Sequence, residues 1–533
     1  MYDNLRDHRH WALPEVLAFQ ADKRGDKPFV TMVDGGALTY AEANTEAGKV
    51  AGFLAGLGVA GGDTVAVIAP AGLDYIRIWL GLGRLGAILV ALNTELKGAF
   101  LSHQLQNAAA KLVIIDSAHL AALRDIAAAV PDIETVMVIG GDAGLCEGAW
   151  RTVAFDGWQG SSAYVGPAPG YRDIASIIYT SGTTGPSKGV LIPHAHSFLF
   201  GLGMIDNHAM TQDDRFYVTM PLFHINALYL QLYSTLIAGA SAVLRPRFSA
   251  SNWLADVRRH RITITNLLGS LAAFIFATPP GPDDRDHALR VIHSAPNPPE
   301  HDRIWRDRFG VPEIMSGFGM TEVNLPIYGP MGRVRPGTAG VVYGRYFEVE
   351  IRHPDTDEPL PPGTVGEIMV RPRVPFGFMA GYHRMPDKTV EAWRNFWFHT
   401  GDAGVIDADG YVTFLDRIKD CIRRRGENIS SFEVEEAILR LPGVREVAAF
   451  AVPAAMVGGE DEVMVAVVID PDAGIDAPAI AAFAEQHLPR FAQPRFIDIV
   501  DSLPRTPTAK IQKNKLRERG AGSGVWDSER RDR

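Results

Sequence analysis

The densest group of residues suited to chemistry is a loop rich in glycine and hydroxyl side chains. Residues 177–190 read IIYTSGTTGPSKGV, an apolar strand followed by glycines, five hydroxyl residues and Lys188. Glycines let backbone N–H groups approach an anion, hydroxyls donate to phosphate oxygens, and the lysine adds positive charge. The spacing differs from that of a Walker A loop. We therefore predict a phosphate site formed by Thr180, Ser181, Gly182, Thr183, Thr184 and Lys188. The alternative is a surface loop without a ligand.

Three later positions offer oxygen ligands or a cation. Thr321 and Glu322 pair a hydroxyl with a carboxylate, the hard oxygen ligands that Mg2+ prefers. Asp402, which only accepts hydrogen bonds when ionised, suits both hydroxyls of a ribose. Lys510 could supply positive charge to a reacting centre. Taken singly, each also has a structural interpretation: a helix N-terminus, a turn and a solvated basic segment.

The elements that must position these groups alternate between strands and helices from about residue 62 to 314. Short β-branched runs are separated by helix-length amphipathic stretches, a pattern that predicts parallel sheets covered by helices. The predicted strands are Thr64–Ala69, Leu112–Ile115, Thr135–Ile139, Ile174–Tyr179, Ser241–Leu244, Ile262–Thr265 and Leu289–Ile292.

Two further patterns follow towards the C-terminus. Strands joined by turn-rich sequence over about 330–415 favour a mostly antiparallel, barrel-like part. Residues 416–519 read as a small α+β domain, and 520–533 as a disordered tail. The predicted fold class is α/β. Its large N-terminal domain, 1–415, has two helix-covered, mostly parallel sheets (to about 329) plus a distorted β-barrel, and its small C-terminal domain is mobile.

Composition excludes several classes of protein. The 533 residues are 47% hydrophobic and 21% charged, which excludes a mostly disordered chain or a fibre. The net charge of −10 argues against non-specific binding to nucleic acid or anionic membranes. Two cysteines cannot form a disulfide framework, and no secretory signal or confident membrane span is visible. We expect a cytoplasmic protein with no nucleic-acid partner and no stable membrane insertion, and we leave a homodimer open.

Five segments together resemble the adenylate-forming superfamily, which includes acyl-CoA synthetases. They occur in that family's order and are 177–190, FGMTE at 318–322, WFHTGD at 397–402, the segment from DRIKD to GEN at 416–428, and LPRTPTAKI at 503–511. The resemblance covers nearly the whole chain. Two regions, 371–379 with 389–395 and 424–430, are most similar to the crotonobetaine/carnitine–CoA ligase group.

The resemblance implies roles for individual residues around ATP. Lys510 is expected to be the catalytic lysine, with Glu322 and His224 also catalytic, and Glu322 and Thr184 to hold Mg2+. Ala509 replaces the family's usual glycine beside that lysine. The remaining ATP contacts implied by the resemblance are Ser316, Gly317, Phe318 against adenine, Thr321, Asp402 and Arg417.

The same resemblance places a hinge and two further binding regions. Asp416 is the expected hinge between the domains. CoA is expected at Arg423, Arg424, Gly426 and Glu427; a solvated run of charge is the alternative there. The acyl pocket is expected at His224, Asn226, Ser294 and Ala295, although His224 alone could equally be a core histidine.

We therefore predict an ATP-dependent carboxylic acid–CoA ligase that works through an acyl-adenylate, with ATP, Mg2+ and CoA as cofactors. The acid is left open among small, betaine-like and short- or medium-chain carboxylates. One alternative is an adenylation enzyme that loads a carrier protein in trans, and another is a nucleotide-binding pseudoenzyme.

Two motifs are discounted. GLGRLG at 81–86 matches a dinucleotide fingerprint but lies in a helical pattern and follows no strand. His194 and His196 suggest a metal pair, but no third ligand is nearby in the sequence.

Overall fold

The computed structural model describes residues 1–141, 150–180, 187–417, 422–424, 427–429, 431–453, 461–488, 492–506, 511–522 and 524–530. The α-helices are α1 Leu13–Arg24, α2 Tyr40–Gly56, α3 Leu73–Leu85, α4 Gly98–Ala108, α5 Leu120–Arg124, α6 His194–His208, α7 Ser234–Ala238, α8 Ala250–Arg259, α9 Gly269–Phe276, α10 Pro299–Asp307, α11 Pro386–Ala392, α12 Ser431–Leu439, α13 Ala477–His487 and α14 Lys513–Arg519.

The strands before residue 330 are β1 Pro28–Met32, β2 Ala37–Thr39, β3 Thr64–Ile68, β4 Ile88–Ala91, β5 Leu112–Asp116, β6 Thr135–Ile139, β7 Arg151–Ala154, β8 Ile174–Thr180, β9 Lys188–Pro193, β10 Arg215–Val218, β11 Ser241–Leu244, β12 Ile264–Leu268, β13 Val291–Ala295, β14 Glu313–Met315, β15 Gly317–Met320 and β16 Asn324–Tyr328.

The later strands are β17 Gly340–Val342, β18 Phe347–Arg352, β19 Gly366–Pro372, β20 Gly381–Tyr382, β21 Trp393–Arg394, β22 Trp397–Ile406, β23 Tyr411–Arg417, β24 Ile422–Arg424, β25 Glu427–Ile429, β26 Val444–Pro453, β27 Asp461–Ile469, β28 Phe496–Ile499 and β29 Trp526–Asp527. A π-helix at Asn226–Tyr233 precedes α7.

Two mixed sheets form the first part of the molecule. The first has the order β14-β13-β12-β10-β11-β1-β2 and is parallel except for the β1–β2 hairpin. The second has the order β20-β9-β8-β4-β3-β5-β6-β7 and is parallel except where β9 pairs with β8 and β20. The predicted helix-covered, mostly parallel sheets are thus present.

Alternate residues of strand β3 pack into two different hydrophobic cores. Val65 and Val67 of β3 belong to the large core that contains α6, whereas Ala66 and Ile68 join the core under α4 and α5. This period-2 pattern shows that both faces of the sheet are covered. The GLGRLG motif lies almost entirely within α3, as its helical pattern predicts.

Helix α6 is buried on every side, which is typical of a helix between two layers. At Gly201, a side chain would bring its Cβ within 2.7 Å of the Ile237 side chain and 3.2 Å of the Ser234 backbone nitrogen. Glycine therefore permits the close approach between α6 and the π-helix–α7 segment.

The third sheet is antiparallel, with the order β15-β16-β17-β23-β22-β19-β18 and β21 beside β22. It curls far enough for β16 and β17 to contact β18. This is the barrel-like part of the predicted fold, but two of its strands, β15 and β16, precede residue 330, where the barrel-like part was expected to begin.

The C-terminal part has a four-stranded sheet, β26-β27-β28-β29, and a β24–β25 hairpin. Helices α12 and α13 pack on one face of the sheet, and Leu503 and Leu516 pack on the other. The predicted fold class, a large mixed α/β domain with a smaller C-terminal domain, is confirmed.

The last residues depart from the predicted disordered tail. Trp526 and Asp527 pair with β28, and Arg495 forms ion pairs with Asp527 and Glu529. The sequence pattern misses this two-residue strand, which pairs with β28 and contacts a distant arginine. Within the described residues, no helix combines the length and the apolar character that a membrane crossing needs.

Candidate active site

One cleft of about 1720 Å³ brings together residues from all parts of the fold. Thr180 and Lys188 come from the second sheet, Glu322 from the turn after β15, and Glu446 and Arg505 from the C-terminal part. Of the residues predicted to act on ATP or the acid, those lining the cleft are Thr180, Lys188, Thr321, Glu322, His224 and Asn226.

The two ends of the glycine-rich loop are held by an antiparallel hairpin. Thr180, at the end of β8, is the register partner of Lys188, at the start of β9. The hydroxyl of Thr180 lies 3.5 Å from the Lys188 carbonyl oxygen. Ser181, Gly182, Thr183 and Thr184 lie outside the described residues. The hairpin therefore sets where the predicted phosphate loop begins and ends.

Glu322 is a buried carboxylate that faces this hairpin across the cleft, with 4% of its surface exposed. Its Oε1 accepts hydrogen bonds from the hydroxyls of Tyr382 (3.0 Å) and Thr180 (3.4 Å). Its Oε2 accepts none from the described residues. A hard oxygen is therefore left for a ligand in the cleft, which fits the predicted Mg2+.

Tyr382 is a site residue that the sequence interpretation missed. Its hydroxyl donates to Glu322, and the Nζ of Lys188 lies 4.1 Å from the centroid of its ring. Strand β20 places it there by pairing with β9, with Tyr382 opposite Val190. Strands β9 and β20 are about 190 residues apart in the chain, so the sequence around Tyr382 gives no local signal of their pairing. The dipeptide Gly381–Tyr382 is the one feature that could have indicated a strand there.

His196 supports the turn that carries Glu322. Its Nδ1 accepts from the Nδ2 of Asn324 (3.2 Å), so its Nε2 carries the proton and donates to the Thr321 carbonyl oxygen (3.0 Å). Burial lowers the pKa of His196 to about 4, which keeps the ring neutral at pH 7. Among the described residues, no cluster of three or more His, Cys, Asp and Glu side chains could hold a metal ion.

The predicted adenine and ribose contacts lie beside the cleft rather than on its lining. Phe318 is 8% exposed and stacks on Phe414 with ring centroids 5.8 Å apart. Ser316 is buried, and Gly317 begins β15 with Phe318. Phe414 is the more exposed member of this aromatic pair.

Asp402 and Arg417 are direct neighbours across β22 and β23. Asp402 follows Gly401, whose φ of 71° favours glycine. The Oε1 of Glu367 accepts from the Gly401 backbone N–H at 2.8 Å, so Glu367 holds the turn in front of Asp402. The side chains of Arg417 and of the predicted hinge residue Asp416 lie outside the described part of the structure.

Two of the four residues predicted for the acyl pocket line the cleft. His224 and Asn226 line the cleft, and burial lowers the pKa of His224 to about 4. Ser294 and Ala295 do not line it, and Ser294 is fully buried in β13. Leu268, the register partner of Ala295 on the adjacent strand, lines the cleft instead.

The predicted CoA contact of Arg424 is not supported by the structure. Its guanidinium is buried and forms an ion pair of 2.7 Å with Glu462, and it donates to the Gln493 carbonyl oxygen. The charge is used inside the C-terminal domain, because a buried guanidinium needs a carboxylate partner. The side chains of Arg423 and Glu427 and all of Gly426 lie outside the described residues.

Lys510 also lies outside the described residues. On either side of it along the chain, Arg505 and Ile511 form an antiparallel bridge. Arg505 lines the cleft and forms a 2.6 Å ion pair with Glu446. Arg505, the described residue of this segment that lines the cleft, therefore places residue 505 at its border.

Comparison with known families shows which family the chain belongs to. The family model described as AMP-binding enzyme matches residues 17–383, and the model of the AMP-binding enzyme C-terminal domain matches 433–510. The chain belongs to the AMP-binding enzymes. The resemblance on which the site residues were predicted is confirmed.

Curated relatives of this AMP-binding enzyme include two CoA ligases. A sulfoacetate–CoA ligase of Cupriavidus necator is 34% identical over 513 residues, which cover 95% of this chain and 97% of the relative. A crotonobetaine/carnitine–CoA ligase of Salmonella typhimurium is 30% identical over 487 residues, covering 90% and 93%.

Two solved structures are similar to this chain in fold and sequence. ATP-bound MatB from Rhodopseudomonas palustris is 30% identical with a TM-score of 0.83, covering 95% of this chain and 98% of that one. The anthranilate CoA ligase AuaEII in complex with anthranoyl-AMP is 27% identical with a TM-score of 0.84, covering 96% and 97%. This AMP-binding enzyme is an ATP-dependent, adenylate-forming acid–CoA ligase, and the prediction of ATP, Mg2+ and CoA as cofactors is confirmed.

Proposed function

We propose that this AMP-binding enzyme ligates a short carboxylic acid with a charged distal group to CoA. Two named relatives act on such acids, sulfoacetate with a sulfonate and crotonobetaine or carnitine with a trimethylammonium group. The observation that carries the proposal is the single cleft shared by Lys188, Glu322 and the wall that contains His224. Residues predicted to bind phosphate, metal and acid thus border one space.

Different residues of the chain would bind the phosphates and the ribose of ATP. Lys188 and the loop after Thr180 would hold phosphates, and Asp402 with Arg417 would hold the ribose. Glu322, with Thr184, would hold Mg2+, which when bound offsets the negative charge of the phosphates. Tyr382 would keep Glu322 and Lys188 aligned by contacting both.

His224 would orient the acid. Because burial keeps the ring neutral at pH 7, it can donate one hydrogen bond to the carboxylate without adding a charge. Lys510 would then act where the acid oxygen attacks the α-phosphorus. There two anions approach each other and negative charge develops, and a positioned ammonium lowers that barrier. Domain rotation about Asp416 would next admit CoA, whose thiol displaces AMP from the mixed anhydride.

Lys510→Ala tests this division of labour. We expect acid-dependent ATP–pyrophosphate exchange to fall by about 100- to 1000-fold, as for loss of one charge-stabilising donor. Thioester formation from supplied acyl-adenylate should be largely retained. Lys515→Ala, in the exposed part of α14, is the matched control and should keep both half-reactions. Equal loss of both half-reactions in the Lys510 variant would refute its role.

The same assays address the two rivals. A carrier-loading enzyme would turn over with a phosphopantetheinyl carrier protein and not with free CoA, and a pseudoenzyme would show no acid-dependent exchange. A homodimer and a cytoplasmic location remain predictions.

A further inference from the structure

Asn226 stands at the start of the π-helix, on the same wall of the cleft as His224. Its Oδ1 accepts two hydrogen bonds, from the Nε2 of Gln231 (2.8 Å) and the Nδ2 of Asn266 (3.0 Å). Gln231 and Asn266 are fully buried. This amide triad, Asn226–Gln231–Asn266, lies behind the acyl wall.

The triad sets which atom of Asn226 meets the acid. Because both buried neighbours donate to Oδ1, the Nδ2 group is left for the cleft, and it makes no hydrogen bond to the described residues. The side-chain amide oxygens of Gln231 and Asn266 are buried and accept no hydrogen bond from the described residues. Asn226 therefore presents two N–H donors to the cleft.

The charges on the same wall have one sign. Its segments, residues 219–226, 246–248 and 268–274, contribute Arg247 to the cleft lining and no carboxylate. Arg247 makes no ion pair or hydrogen bond within the described part of the chain. The five carboxylates that line the cleft come from other segments: Glu95, Glu322, Glu367, Glu391 and Glu446.

The aromatic residues of this wall are all phenylalanine. Phe223, Phe248 and Phe274 lack the electron-rich faces of tryptophan or tyrosine that bind a quaternary ammonium group best. Arg247 adjoins Phe248 in the chain, and a cation there repels a second cation. A trimethylammonium head is thus the less suitable occupant.

We propose that Asn226 is a specificity-determining residue that selects acids whose distal group is an anionic hydrogen-bond acceptor, such as a sulfonate or second carboxylate. This inference rests on the proposed ligase function and decides the sign of the distal charge. Donors that are already oriented lose little freedom when an anion binds, and hydrogen bonds to charged acceptors are stronger than those to neutral ones.

Three acids with the same skeleton isolate that charge. Sulfoacetate, 3,3-dimethylbutanoate and glycine betaine each carry a tetrahedral head on the carbon next to the carboxylate, with head charges of about −1, 0 and +1. We expect kcat/KM, measured by AMP release with CoA present, to be highest for sulfoacetate and lowest for the betaine. A preference for the betaine, or equal rates for all three, would overturn the proposal.

Asn226→Asp tests the residue itself. The variant keeps an oxygen for Gln231 and Asn266 but replaces the Nδ2 donor with a second oxygen. Sulfoacetate turnover should fall about 10- to 100-fold, the cost of one hydrogen bond to a charged group. The neutral acid should change less than about threefold and so reports folding. Asn252→Asp, exposed on α8, controls for the added charge.

The outcomes separate this inference from the ligase proposal. A preference for glycine betaine over sulfoacetate, or an equal loss with all acids in Asn226→Asp, contradicts the role of Asn226 but leaves a charged distal group as the proposed substrate class. Equal turnover of all three acids contradicts that substrate class as well, and this inference falls with it.

Discussion

Tyr382 joins two charged groups that the hairpin and the β15 turn bring to one cleft. Its hydroxyl and its ring make different contacts, with Glu322 and Lys188 respectively. A tyrosine can do both because its ring face attracts a cation while its O–H donates to an anion. Its two functions can therefore be separated by mutation.

Tyr382→Phe keeps the ring under Lys188 and removes only the donor to Glu322. We expect the Mg2+ concentration needed for half-maximal pyrophosphate exchange to rise about tenfold, because a buried carboxylate loses one hydrogen bond. Titration of exchange activity with Mg2+ at saturating ATP measures this. Tyr411→Phe, whose hydroxyl donates to the Arg333 carbonyl oxygen, is the control. An unchanged Mg2+ dependence would show that the Tyr382 hydroxyl has no role in Mg2+ binding.

At the residue scale, the sequence identified the groups whose chemistry is local. Thr180, Lys188 and Glu322 stand in motifs, and the structure brings them to one cleft. Tyr382 and the ion pair of Arg424 with Glu462 depend on pairings between distant segments, which residue type and spacing do not report. Ala295 illustrates a third case, since its register partner Leu268 lines the cleft and Ala295 does not.

Helix α6 packs in the large core and also supports the site. Its first turn carries His196, which holds the β15 turn, and its middle packs against α7 at Gly201. The packing of this helix thus affects the geometry of the site that it supports.

Gly201→Ala should destabilise the protein by about 1–3 kcal/mol, because its Cβ would press on the Ile237 side chain and the Ser234 backbone. Gly56→Ala, at the end of α2 with no atom within 4 Å of the added Cβ, is the matched control and should be neutral or stabilising. Urea unfolding of both variants gives the comparison. Equal stabilities would show that α6 can shift without cost.

Elements with a strong hydrophobic period were predictable, and those made by tertiary pairing were not. The predicted strands at 64–69, 112–115 and 135–139 match β3, β5 and β6 within a few residues. Short partners such as β2, β20 and β29 carry two or three residues, too few for a periodic signal, and exist because a longer strand offers them an edge.

At the scale of the whole molecule, buried histidines couple stability to pH. Burial lowers the pKa of His194, His196 and His208 to about 4 and that of His293 to about 3. The folded protein holds these rings neutral, while the unfolded chain protonates them near pH 6.5. Their contribution to stability is therefore complete above about pH 6.5 and is lost as the pH falls towards 4.

We expect each of these histidines to lower the free energy of unfolding by up to about 1.4 kcal/mol per pH unit across that window. The melting temperature, measured by calorimetry from pH 7.5 to 5, should fall steadily on acidification. His353→Asn, which replaces an exposed histidine, should leave the slope unchanged. A melting temperature that stays constant over this range would contradict neutral buried rings.

The β20–β9 pairing also has a consequence for synthesis on the ribosome. Strand β9 is complete by residue 193 and can pair with β8 at once. Its second partner, β20, is made only with residues 381 and 382. A nascent chain therefore makes the glycine-rich loop long before the tyrosine that aligns its lysine with the acidic group opposite. Nucleotide capture in the productive arrangement must wait at least until nearly three quarters of translation is finished.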